Sequence, residues 1–157
     1  MLFAPTTSEP LYTAAEMRAA EQGHDVEQLM ERAGAAVASA VLEGFPDAEE
    51  MVVVAGGGAN GGDGRIAARL LTEAGKKVRV LDAKTDEPAL GDPDLIVDAL
   101  FGTGFEGEPR PDALRFIEEL NASEAAVLSV DLPSGVDAST GEVAVEAVAA
   151  DHVVTFH

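Results

Sequence analysis

Met51-Val52-Val53-Val54-Ala55 is apolar without a break, and the nine residues after it, Gly56–Gly64, include six glycines. An unbroken apolar run of this length marks a strand buried on both faces, as parallel strands are when helices cover the sheet above and below. Glycines placed directly after it let the backbone turn tightly and approach a ligand, while a following helix presents free N–H groups. No other feature narrows the fold as much, because the same order of strand, loop and helix then repeats. A helix is expected over about Asp63–Glu73, ending at Gly75, with Lys77–Leu81 as a second strand and Asp94–Asp98 as a third. Pro111 at a helix N1 position opens Asp112–Leu120, and strands follow at Ala126–Asp131 and Val153–Phe156.

Two helices precede this series. Thr13-Ala14-Ala15-Glu16 is a capping box that starts a short helix to about Gln22. Asp25, with Gln28 three residues on, opens a second, in which Leu29, Met30, Ala33, Ala36, Val37, Ala40 and Val41 recur at helical spacing until Gly44. The whole predicts one α/β domain over 1–157: a doubly wound, Rossmann-like three-layer α/β/α sandwich with a mostly parallel sheet and two N-terminal helices.

Composition removes several classes of function. With 29 acidic and 10 basic residues the formal charge is −19, which disfavours nucleic acid and anionic membrane surfaces alike. The absence of cysteine excludes disulfides, zinc–thiolate sites, iron–sulfur ligation and cysteine nucleophiles. Met1–Thr7 lacks the basic-then-apolar order of a secretory signal, and the apolar runs are far short of a membrane span. The expected location is cytoplasmic.

In a doubly wound sheet, ligands bind outside the carboxyl ends of the strands where strand order reverses. Three loops meet that description. Gly56–Gly64 formally matches the dinucleotide fingerprint, with Asp82 as its ribose acid, but six glycines in nine residues match many patterns. It is no Walker A loop, since no Lys-Ser/Thr follows Gly61. A bare strand–helix turn remains open as an alternative, although such a turn needs neither Asn60 nor Asp63. Asp98–Gly107 starts with an aspartate that either caps backbone or ligates a cation, and Gly102-Thr103-Gly104 has room for a phosphate or nucleotide edge. Asp131–Asp137 starts with an aspartate expected to be partly desolvated, which raises a carboxyl pKa toward the range of acid–base work. Ser134 offers an oxygen ligand, and without a Gly-x-Ser-x-Gly turn it is not a nucleophile. His24, Asp151-His152 and the helix glutamates Glu16, Glu21, Glu27 and Glu31 read as surface or structural.

The ordered set Ala15–Arg18, Leu29-Met30-Glu31-Arg32-Ala33-Gly34, Asn60-Gly61-Gly62-Asp63-Gly64, Val97–Gly104, Asp131-Leu132-Pro133-Ser134-Gly135 and Thr155-Phe156 resembles the YjeF N-terminal domain family, the NAD(P)H-hydrate epimerases. The resemblance implies a potassium ion held by Asn60, Asp98 and Ser134. It implies substrate-binding loops at Ala59, Asn60, Gly61, Gly62 and Asp63 and at Gly102, Thr103, Gly104, Phe105, Glu106, Gly107 and Glu108, with Asp131 as the substrate-contacting acid–base residue. A hydrated nicotinamide dinucleotide as substrate, and a homodimer, follow from it too. Oxygen donors from three convergent loops suit a large monovalent cation.

Three departures stand out. Ala59 replaces the first Asn of the family's Pro-Gly-Asn-Asn run and offers no side-chain hydrogen bond, and Arg32 replaces the Asn of Glu-Asn-Ala-Gly. Family domains continue some way past the Thr-Phe strand, so a segment C-terminal to His157 is expected to be lacking.

Rival classes are weighed against this. An NAD-dependent oxidoreductase would need a catalytic His, Lys or Tyr in the site. A non-catalytic binding module need not retain Asn60, Asp98, Asp131 and Ser134 together. The N-terminal part of a bifunctional epimerase/dehydratase would share every motif. Finally, with only three lysines, Lys76, Lys77 and Lys84, the acidic sequence resembles proteins of salt-rich cytoplasms.

Overall fold

A computed structural model describes residues 13–16 and 26–156. Thr13 caps a first turn as its spacing predicts: its backbone N–H donates to the Glu16 carboxylate at 2.6 Å, and the Glu16 N–H donates to Thr13 Oγ1 at 3.3 Å. The remainder of that predicted helix, the Asp25 cap and His24 lie outside the described residues.

The elements in order are α1 (Val26–Gly44), β1 (Glu50–Ala55), α2 (Ala59–Glu73), β2 (Lys77–Asp82), β3 (Leu95–Ala99), α3 (Pro111–Ala122), β4 (Ala126–Val130) and β5 (His152–Val154). The five strands form one sheet in the order β2-β1-β3-β4-β5, and each neighbouring pair is parallel. From β1 the chain goes outward to β2 and then returns to place β3 on β1's other side. Strand order therefore reverses between β1 and β3, which is where such a sheet opens a crevice.

Side-chain alternation along the strands divides the core into two layers. Met51, Val53, Leu95, Val97, Leu128 and Val130 face α1 and α2, packing on Val37, Val41, Ala67 and Leu71. Val52, Val54, Ile96 and Val127 face the other way, onto Phe116, Ile117 and Leu120 of α3. Asp98 and Ser129 occupy polar positions on that second face and are fully buried, at 0 % exposure.

Small residues let the layers close. A methyl group on Gly64 would lie 2.6 Å from Ala99 Cβ and 3.2 Å from Val53 Cγ1, so α2 rests directly on the sheet. One on Gly34 would overlap the Ile66 side chain, so α1 crosses α2 at that point.

One boundary differs materially from expectation. Helix α2 begins at Ala59, four residues before Asp63, so Ala59-Asn60-Gly61-Gly62 form its first turn rather than a loop. Glycine disfavours helix locally; here burial of Asn60, Gly61 and Asp63 against neighbouring elements outweighs that preference.

Candidate functional site

A cleft of about 1670 Å³ lies over the carboxyl ends of the strands. It exceeds the usual size of a small-molecule pocket and suits an extended ligand. Gly56–Asn60 and Asp63 line it from β1 and α2, Leu100–Glu106 with Glu108 from β3, Asp131 from β4, and Thr155 and Phe156 from β5. The three glycine-bearing loops singled out in the sequence thus share one cleft.

Asp98 does not line the cleft: it is buried with Ser129 and Ser134, and ties the cleft's loops together. Its carboxylate accepts from Ser129 Oγ at 2.7 Å, Ser134 N at 2.9 Å, Ser134 Oγ at 2.6 Å and Leu100 N at 3.3 Å. Burial pushes the Asp98 carboxyl above the usual carboxylate range, against the opposing pull of the Ser134 hydroxyl and N–H, the Ser129 hydroxyl and the Leu100 N–H. Ser134 in turn accepts from the Phe101 N–H at 3.0 Å, so one hydroxyl ties the loop after β4 to the loop after β3. Asn60 is 7 % exposed and lies against Gly102, with its Nδ2 unpartnered among the described residues.

Do these residues fit a monovalent cation? Asp98 is a buried carboxylate with no basic side chain paired to it among the described residues, and a buried charge calls for a counter-charge. Asn60 and Ser134 add neutral oxygens of the kind a hard cation takes. The donor chemistry fits.

Asp131 is held differently. It follows the last residue of β4 with φ +74°, the sole non-glycine with positive φ among the described residues. Its N–H donates to the Val154 carbonyl at 2.6 Å, which extends the β4–β5 pairing by one step. Its carboxylate accepts from the Thr103 N–H at 3.2 Å and faces the cleft half-buried. Left-handed backbone costs a non-glycine residue roughly 1–3 kcal/mol, less for Asp and Asn, and occurs chiefly where the surroundings over-determine it. Nothing in the sequence announces that strain.

The remaining candidates separate clearly. Thr103, Phe105, Glu106 and Glu108 line the cleft, with Phe105 stacked on Phe101 at a ring distance of 4.6 Å. Ala59 is exposed at its rim. Asp82, the formal ribose acid, is engaged by Arg65 at 3.0 Å and by the Lys84 N–H at 2.8 Å. His152 packs edge-on against Phe45 and is structural. Sequence reasoning missed the α1 wall of the cleft, Leu29, Met30 and Ala33, since helical spacing cannot tell a core-facing apolar residue from one facing a cleft. It also missed Lys84, which lines the cleft beside Gly57.

Fold and site together define a doubly wound α/β domain with a large ligand-sized cleft at its switch point. The chain belongs to the YjeF-related protein N-terminus family, YjeF_N, matched over residues 26–92 and 81–157. It is 39 % identical to the NAD(P)H-hydrate epimerase of Limosilactobacillus fermentum, over 95 % of this chain and 86 % of that protein. It is 40 % identical to the bifunctional NAD(P)H-hydrate repair enzyme Nnr of Pyrobaculum aerophilum, over 82 % of this chain but 32 % of that protein. The yeast protein ynu0 (YNL200c) superposes with a TM-score of 0.78 at 26 % identity, over 94 % of this chain and 80 % of that one.

Proposed function

We propose that this protein is an isomerase that epimerises the C6-hydrated forms of NADH and NADPH, interconverting the R and S hydrates as a metabolite-repair step. The observation that carries the reading is Asp131, a carboxylate fixed at the cleft by the Thr103 N–H on strained backbone. The names of the epimerase and repair relatives support it.

C6 of the hydrated ring bears both a hydroxyl and the ring nitrogen, so it is a hemiaminal. Asp131, protonated, gives its proton to the hydroxyl, which leaves as water while the nitrogen lone pair forms a planar iminium. Water then adds to the opposite face, and the carboxylate takes the released proton. The centre is inverted and Asp131 is regenerated. One acid–base group suffices.

The substrate would lie along Ala59–Asp63 and Gly102–Glu108. A potassium ion would be held by Asn60, Asp98 and Ser134, ordering the loops and offsetting the substrate's negative charge. The proposal extends to a homodimer in a salt-rich cytoplasm. The first rests on the family resemblance, and a charge of −19 with three lysines supports the second. Among the described residues no helix is long and apolar enough to cross a membrane.

Asp131→Asn tests the assignment. Asn tolerates the left-handed backbone as Asp does, so the fold should persist while epimerisation falls by at least about 10²-fold, the low end for a general acid–base group. Near-normal turnover would remove Asp131 from the mechanism. Absence of epimerisation by the unaltered protein would favour a non-catalytic binding module.

A further inference from the structure

Lys84 has no role in the reaction as derived, yet its environment is unusual for a lysine of so acidic a protein. Among the described residues, Arg65, Arg69, Lys76, Lys77 and Arg115 each pair with a carboxylate. Arg79 donates to the Ala89 and Leu90 carbonyls. Lys84 makes no such pair, and neither do Arg32 and Arg110, which line the same cleft from α1 and from the segment before α3. The two nearest carboxylates in sequence are engaged elsewhere: Asp82 accepts from Arg65 and from the backbone N–H of Lys84 itself, and Asp86 accepts from the Asp82 N–H.

The ammonium reaches back instead over the first glycine loop. A methyl group on Gly57 would overlap Lys84 Nζ and Cε, so the charge rests on bare backbone. At this end the cleft is lined by Gly56, Gly57, Gly58, Ala59, Ala83 and Lys84, with no carboxylate among them. Its acids are Asp63, buried on α2, and Glu106, Glu108, Asp112 and Asp131 from the segments after β3 and β4. Helix α2 starts beside Lys84 at Gly58 without a side-chain cap, so its first-turn N–H groups are open to an anion. Asn60 in that turn has a buried Nδ2 that is unpartnered among the described residues and lines the same cleft.

We propose that Lys84 is the diphosphate-binding residue of this cleft, closing over the start of α2 to hold the two bridging phosphates of a dinucleotide. The proposal rests on the epimerase reading for the identity of the substrate, though not for the anion site itself. Strand β2 stands three strand spacings from β4, about 14 Å. A diphosphate held near β1 and β2 therefore leaves the ring end of an extended dinucleotide free to reach Asp131. Lys84 binds and positions; it takes no part in the proton transfers.

The test uses ADP-ribose, adenosine, NAD⁺ and NADP⁺ as unreactive probes in titration calorimetry with the full chain. Lys84→Met should weaken ADP-ribose, NAD⁺ and NADP⁺ alike by about tenfold, as loss of one charge-assisted contact to phosphate would. Adenosine, which lacks phosphate, should bind as before. With the hydrate as substrate, KM should rise by a similar factor while kcat stays within about twofold. Lys84→Arg should restore most of the affinity, and Lys77→Met, at the exposed start of β2, should change nothing. Wild-type affinity for ADP-ribose in Lys84→Met overturns the proposal. So does a loss confined to NADP⁺, which would assign Lys84 to the 2′-phosphate instead. Lys84-dependent binding of ADP-ribose by a protein that does not epimerise would sink the epimerase reading and leave the anion site standing.

Discussion

Asp98 shows how one residue can both knit a fold and stress it. Its four donors come from β4, the loop after β4 and the turn after β3. Burial still raises its pKa, so the ionised form is disfavoured in the folded protein. For a carboxyl raised on folding, the contribution to stability is complete below the unfolded value of about 3.9 and is lost as pH rises through the higher folded value. Asp94 and Asp137 act in the opposite sense. Backbone N–H groups of Glu50 and Glu49, and of Ser139 and Thr140, lower their pKa values, so what they contribute is lost as the solution is acidified. Unfolding by urea between pH 4 and 7, in 1 M tetramethylammonium chloride to suppress surface repulsion, should show stability falling with pH more steeply in the wild type than in Asp98→Asn. The variant will be less stable throughout, because an amide NH₂ must face the N–H of either Ser134 or Leu100. Parallel curves for the two proteins would mean that Asp98 does not titrate in this range.

At the scale of elements, the placement of the site depends on how closely α2 lies on the sheet. Gly64 sets that distance. Gly64→Ala improves helix propensity by about 1 kcal/mol, yet the added methyl meets the Cβ of Ala99 at the carboxyl end of β3. Overpacking of this kind costs about 1–3 kcal/mol. We expect net destabilisation in chemical denaturation, and weaker dinucleotide binding, because Asn60 and Asp63 ride on the same helix. A more stable Gly64→Ala protein would show that the layers have slack. The start of α2 lies four residues ahead of its expected place because a glycine-rich segment looks like a loop by propensity. The ends of the first four strands were legible to within a residue, since the apolar runs and their flanking Asp and Gly residues are local signals; the last was expected to run to Phe156 and stops two residues earlier, at Val154.

For the whole molecule, charge matters most. Repulsion at −19 destabilises a compact body of 157 residues. Its range shrinks from about 10 Å in 0.1 M salt to about 3 Å in 1 M. The melting temperature should therefore keep rising from 0.1 M to beyond 1 M KCl. If a cation binds among Asn60, Asp98 and Ser134, potassium should stabilise more than lithium at equal ionic strength, by mass action. A flat salt curve would assign the acidity another purpose, such as a basic partner. Identical melting in the two salts would mark the three residues as structural.

The features legible along the chain are local and periodic. Buried parallel strands, their alternation with helices, and an Asp, Asn or Ser at the strand ends are all written in short runs of neighbouring residues, and from them the sheet edge bearing the site follows. Tertiary structure alone decided what crosses between those runs. Ser129 and Ser134 meet Asp98 from 31 and 36 residues away. Lys84 lies on Gly57 because β2 brings the chain back alongside β1. Asp131 takes a left-handed backbone where its N–H pairs with β5 and its carboxylate meets the Thr103 N–H. Each of these depends on strand order and on the side-chain neighbours it creates, and residue spacing along the chain carries no record of either.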